Sequence, residues 1–406
     1  MVYLFNNQVS LAQTPQLDAF GRLRVSQPQT LFDSQQRFGL DRSFVSNTAS
    51  GGTITYIPTQ SSANLTVVNT TGSYAARETR YIFKYQPGKS QLALFSFVMA
   101  PLSSGNLRQL VGYYGSDNGY FLQLSDQLYI CERSNVSGTV THSNVAQSSW
   151  NGDTLLGTGA SGYTLDITKS QLFFMDIEWL GVGSVRTGFV INGQFIVAHT
   201  FHHSNLVSRA YITTACLPVR YEIQALSASA PATSNLTQIC CTVVSEAGYN
   251  EPLGLFSNAV ALTTTLNTWV PTISLRLDPT RLDAISLVRQ VDIALTSAGS
   301  GTIQWALWSS SNVSGGSSWT SPPQNGSIQV STGGTMNVAS SWQVASGLLT
   351  LSGGNTVAST LVELGNYTSQ IGRDSFAKVS DVMTLAVYSL ANTPSGYALI
   401  SWQEIL

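Results

Sequence analysis

A chain of 406 residues with 43% hydrophobic residues is long enough for two or three domains with large buried cores. Charged residues are only 10%, against about 25% in ordinary soluble domains. The balance of 19 basic against 21 acidic residues excludes a broad basic field for nucleic acid and a polybasic membrane patch. Aromatics at 10% exclude a disordered chain. Ser, Thr, Asn, Gln and Gly stand where charge would be, a composition that suits β-sheets joined by tight turns and surfaces that end against other protein.

Residues 1–45 form the first element. The stretch Asp18–Asp41 carries Arg22, Arg24, Asp33, Arg37 and Asp41, with Phe20, Leu23, Val25, Leu31, Phe32 and Phe38 placed in ones and twos. Gly21, Pro28 and Gly39 interrupt it. Such a segment cannot bury its own apolar groups, so it reads as an extended arm lying on its own domain or on a neighbour.

From 46 to 228, short alternating or apolar runs are separated by Gly, Ser, Asn and Pro, the pattern of sandwiches and barrels. Predicted strands are Gly52–Tyr56, Asn64–Val68, Thr79–Tyr85, Leu92–Met99, Gln109–Tyr114, Gly119–Gln123, Gln127–Glu132, Leu172–Leu180, Gly183–Ile191 and Gln194–Phe201. Asn192-Gly193 predicts a type I′ hairpin between the last two. The small-residue run Ala225–Ser234 reads as a linker or crossing strand. A second β domain, 229–406, then opens at Thr237–Ser245. It continues through Thr272–Leu277, Ala284–Leu287, Val291–Thr296, Thr302–Trp308, Ser327–Ser331, Gly347–Leu351 and Val382–Tyr388, and closes at Ala398–Leu406. The Gly/Ser-rich stretch Ser309–Gly326 reads as its most mobile loop. The expected fold is all-β: two antiparallel sandwiches of jelly-roll or lectin-like type, preceded by the arm.

No chemistry-bearing motif stands out. Cys131, Cys216, Cys240 and Cys241 form no CxxC pair and read as free thiols of a protein folded in a reducing cytoplasm. No signal peptide or membrane-spanning run is visible. Asp176 and Glu178, two apart on a predicted strand, would share a face, as a glycosidase pair could; Arg186 on the next strand offers a structural partner. His199, His202 and His203 could gather a metal on a helix but not on a strand, where His199 and His203 would lie far apart. No nucleophile elbow, P-loop or dinucleotide fingerprint is present. No catalytic, cofactor or metal residue is assigned. Tyr113, Tyr114 and Tyr120, beside a turn rich in Asn and Asp, are candidate glycan contacts, weighed against core packing.

The stretch Asp18-Ala-Phe-Gly-Arg-Leu-Arg-Val-Ser26 followed by Leu31-Phe-Asp-Ser-Gln35 resembles a family of virion structural proteins of tailed phages. Weaker similarity continues at Phe174–Gly183, with Arg186, Gly188, Phe189 and Asn192-Gly193, and again at Arg281–Ile285 and Ile400–Ile405. The resemblance implies a place in the virion, as a tail, fibre, baseplate or capsid-surface component made in the host cytoplasm, and a homo-oligomer with a trimer favoured. It transfers no catalytic residue and no cofactor. The arm would dock on other virion proteins through Phe20, Arg22, Arg24, Leu31, Phe32, Arg37 and Phe38, Arg being suited to bidentate contacts. Alternatives are a capsid decoration protein, a receptor-recognition protein that binds host surface glycan and, last, a glycoside hydrolase.

Overall fold

The computed structural model describes residues 2–5, 8–11, 23, 27–103, 105–246, 255–296, 300–309, 311–321, 326–339, 341–352, 358–363 and 369–405, with backbone alone for 2–5, 8–11 and 358–363. Among the described residues there is no α-helix, only two single turns of 3-10 helix, Pro58–Gln60 and Gln147–Ser149. Among the described residues the strands pair antiparallel, with one isolated parallel bridge at Leu266–Ser389. The chain divides into two compact units, 1–79 with 83–250, and 80–82 with 251–406.

The first unit is a sandwich of two large sheets. The seven-stranded sheet runs Thr141–Ala146, Leu128–Ser134, Gly119–Leu124, Leu107–Tyr114, Val219–Ala225, Tyr74–Thr79, Phe44–Ala49. The eight-stranded sheet runs Gln194–Phe201, Val185–Ile191, Gln171–Ile177, Gln91–Val98, Thr233–Ser245, Ser62–Val68, Thr53–Ile57, with Gln29–Gln35 added along Thr233–Ser245. Period-two patterning builds the core. In Gln91–Val98, Ala93, Phe95 and Phe97 are wholly buried while Leu92, Leu94 and Ser96 are half-buried. Rings from facing sheets meet across it, as Phe95 does with Tyr221 at 6.4 Å. The Asn192-Gly193 turn is as expected: both residues have positive φ, 50° and 76°, and they join two antiparallel strands.

The second unit pairs a four-stranded sheet (Phe256–Leu262, Gly396–Ile405, Ile285–Leu295, Ala358–Glu363) with a five-stranded one (Ile328–Thr332, Trp269–Leu277, Val382–Ala391, Gly301–Ser309, Trp342–Leu351). Val288, Ile293 and Trp402 of the first sheet and Ile273, Trp305 and Leu385 of the second share one core.

Four expectations change. Thr237–Ser245 does not open the second domain. It lies within a 13-residue strand that is central to the first sandwich. The run Ala225–Ser234 is therefore the crossing from one sheet to the other, and the boundary falls near 250, not 228. Thr79–Tyr85 is not a strand; the strand is Tyr74–Thr79, in which Arg77 and Glu78 are each 1% exposed. Ala284–Leu287 and Val291–Thr296 merge into Ile285–Leu295, kinked by a bulge between Val288 and Gln290. The described part of Ser309–Gly326 is pinned: Asn312–Ser314 pairs with Thr335–Asn337, Thr320 bridges Val330, and the Trp319 ring lies 4.3 Å from the Arg276 guanidinium carbon.

Candidate functional site

The described part of the N-terminal segment divides at Gln36. Strand Gln29–Gln35 pairs with Cys240–Ser245, and Thr242 Oγ1 donates to the Phe32 carbonyl at 2.8 Å. Phe32 is wholly buried, stacked on Phe83 at 4.9 Å and tilted against Phe44 at 6.0 Å. Leu31 is half-buried. Phe32 is thus part of the domain's own core and is not available as an anchor on a neighbour, while Leu31 lies at its rim. Within the expected arm of 1–45, Gln29–Gln35 is thus a strand of the first sandwich.

Beyond it the chain turns sharply at 36–41 and is held by its own polar groups. The Asp41 amide donates to Gln36 Oε1 at 2.9 Å, the Ser43 amide to Asp41 Oδ1 at 2.8 Å, and Ser34 Oγ bonds Asp41 Oδ2. Tyr56 Oη donates to the Arg37 carbonyl at 2.6 Å, and Arg77 Nη2 to the Asp41 carbonyl at 2.9 Å. Arg77 also donates to Gln238 Oε1 at 2.7 Å, and burial pushes its pKa down to about 10. This braced turn presents Phe38 at 86% exposure, with the Arg37 guanidinium carbon 4.8 Å over its ring. Phe20, Arg22 and Arg24 lie outside the described residues.

The other sequence candidates go to structural work. Tyr113, Tyr114 and Tyr120 are each 0% exposed, which removes them as direct glycan contacts. Tyr113 donates to the Phe83 carbonyl at 3.3 Å and Tyr120 to Glu132 Oε2 at 2.9 Å. The sequence missed this because it weighed their Asn/Asp neighbours over the burial that a central strand imposes. Asp176 is 1% exposed, ion-paired to Arg186 directly across the ladder and bonded by Ser90 Oγ. Its strand ends at Ile177, so Glu178 falls outside it and the shared-face carboxylate pair does not form. Phe173, Met175 and Ile177 of the same strand are wholly buried.

The three histidines scatter. The Asn151 amide donates to His199 Nδ1 at 3.3 Å, which requires an unprotonated nitrogen there, and burial followed by His202 pushes the His199 pKa down to about 4. His202 is exposed, its Nδ1 3.3 Å from Ser184 Oγ. His203 Nδ1 donates to the Gly183 carbonyl at 2.7 Å, its Nε2 lies 2.6 Å from Glu132 Oε2, and its ring stacks on Tyr211 at 3.6 Å. Among the described residues no group of His, Cys, Asp or Glu is arranged to hold a metal, and no helix is long and apolar enough to cross a membrane. All four cysteines are free thiols; burial pushes Cys131 up to about 12 and raises the others.

The chain matches no protein-family model and no curated protein. Solved structures of similar outline include a protein of unknown function from Shewanella oneidensis MR-1 (6% identity, TM-score 0.34, 58% of this chain and 94% of that one). A second is a carbohydrate esterase from the Shiga toxin-encoding bacteriophage phi24B (9%, 0.32, 54% and 99%). A third is the carbohydrate recognition domain of Emp47p (7%, 0.33, 50% and 89%). The all-β sandwich assignment of this chain rests on its own strand pairing.

Proposed function

We propose that the protein is a structural component of a phage particle, in its tail, fibre or baseplate, that docks on a neighbouring virion protein through the turn at Arg37–Leu40. The Asp18–Ser26 and Leu31–Gln35 motifs support the virion assignment through their resemblance to tailed-phage proteins. The observation that carries the docking assignment is Phe38: 86% exposed, on a turn braced by Asp41, Gln36 and Tyr56, with Leu40 beside it at 36%. A braced turn loses little entropy on binding, and a Phe with an Arg stacked over it is the kind of anchor that dominates interface energy. Low overall charge keeps the desolvation cost of burying the surrounding surface small.

The fold dictates how this is tested. Removing 1–45 would also remove the Gln29–Gln35 strand and Phe32, so loss of assembly would report unfolding. Particles assembled with the Phe38→Ser protein test the turn while leaving that strand in place. The proposal expects normal melting for Phe38→Ser and a several-fold fall in its occupancy of the particle. Full occupancy of a well-folded Phe38→Ser protein would sink the proposal.

A further inference from the structure

The tip of the 36–41 turn presents more than a phenyl ring. Arg37 is exposed, and its guanidinium carbon stands 4.8 Å from the Phe38 ring centroid. That contact holds the side chain beside the ring and leaves the N–H donors at the edge of the guanidinium open to a partner. No carboxylate among the described residues pairs with it. The acidic residue of the turn, Asp41, is occupied inward: its Oδ1 accepts from the Ser43 amide and its Oδ2 from Ser34 Oγ.

Gly39, between Phe38 and Leu40, is the second feature. Its φ is not one that L side chains avoid, and a Cβ there would meet nothing within 4 Å. Neither the backbone conformation nor the packing of the chain itself therefore asks for glycine at this position. Its amide and carbonyl make no hydrogen bond among the described residues. The tip is thus a short strip of bare backbone between two apolar side chains, with a cation at one end. Bare backbone that the fold does not need is what a closely approaching surface needs.

Resting on the docking reading above, we infer the kind of surface this tip fits: an apolar recess on the neighbouring protein with a carboxylate at its rim. Phe38 and Leu40 enter the recess, its wall lies against the Gly39 backbone, and the carboxylate takes the Arg37 fork. Charge complementarity selects the carboxylate, because a guanidinium pairs with it bidentately and the turn offers Arg37 no such partner of its own. The recess follows from the ring and the bare backbone beside it, which only a concave, close-fitting wall covers together. A nucleic-acid strand does not fit, since it asks for a row of cations, whereas Arg37 and Arg42 are interleaved with Asp33 and Asp41.

The experiment is co-assembly of parent and variant full-length chains supplied at equal concentration, with their ratio in purified particles read by mass spectrometry. Arg37→Glu should be depleted at least fivefold, because its carboxylate then faces the partner's. Gly39→Ala, for which the free chain has room, should be depleted at least threefold, because the added methyl meets the wall. The parent should leave particles at least threefold faster in about 0.5 M than in about 0.1 M NaCl, whereas release of Arg37→Gln, which lacks the ion pair, should hardly respond. The salt response of the parent needs no variant and decides the carboxylate even if Arg37→Glu melts early. Full occupancy of a well-folded Arg37→Glu or Gly39→Ala protein overturns the inference, and so does parent release indifferent to salt. Phe38→Ser separates the two readings. If it is depleted in those cases, docking through the turn stands and only this partner surface is wrong; if it also assembles fully, both fall.

Discussion

Phe32 and Phe38 sit a few residues apart in one segment and meet opposite fates. Phe32 is wholly buried between Phe83 and Phe44, on a strand that completes the eight-stranded sheet. Phe38 is 86% exposed on a turn stiffened by hydrogen bonds from both sides. The difference teaches that this segment is not one functional object. The domain uses the first half for its own stability and holds the second half out. A segment of mixed apolar and charged residues therefore looks uniform in sequence while its energetics change sign across Gln36.

The largest effect should come from the buried half. Phe32→Ala leaves a cavity against Phe83 and Phe44 and should cost about 3–5 kcal/mol in a denaturant titration of the first unit; a loss below about 1 kcal/mol would mean the strand is dispensable and the comparison false. A smaller, pH-dependent effect separates interior chemistry from the exposed turn. His199 has a pKa of about 4 when folded, below the ordinary 6.5, so the unfolded chain takes up more protons between those values. Stability should fall as pH drops from 6.5 toward 4 and level below that. His199→Gln should flatten this component of the melting profile, and an unchanged profile would remove His199 as its cause. The smallest effect on stability should be at the exposed half: Phe38→Ser and Arg37→Glu should each stay within about 0.5 kcal/mol of the parent.

The sequence showed much of this fold where patterning was apolar and period-two. Gln91–Val98, Gly119–Leu124 and the Asn192-Gly193 hairpin follow directly from alternation and turn chemistry. It hid two central strands rich in ions, although the Asp176–Arg186 ladder pair was legible. Tyr74–Thr79 and Val219–Ala225 hold Arg77, Glu78, Arg220 and Glu222, which read as surface loop until their partners are known. Those partners lie far away in the chain, as Glu78 and Arg220 do, and only the fold brings them together. The same blindness displaced the domain boundary: small residues at 225–234 look like a linker whether they join two domains or two sheets. At the site, exposed Phe38 and buried Phe32 were indistinguishable in sequence, because burial by a distant strand leaves no local mark. The three tyrosines erred the other way, local polarity outweighing a central position in the sheet.

The central claim is that the exposed half of the segment, and not its buried half, joins this protein to its neighbour. The most direct measurement is the occupancy of Phe38→Ser protein in assembled particles, read by quantitative mass spectrometry against a chain of equal melting temperature. The account predicts several-fold depletion with the fold intact. Normal occupancy at unchanged stability would contradict it.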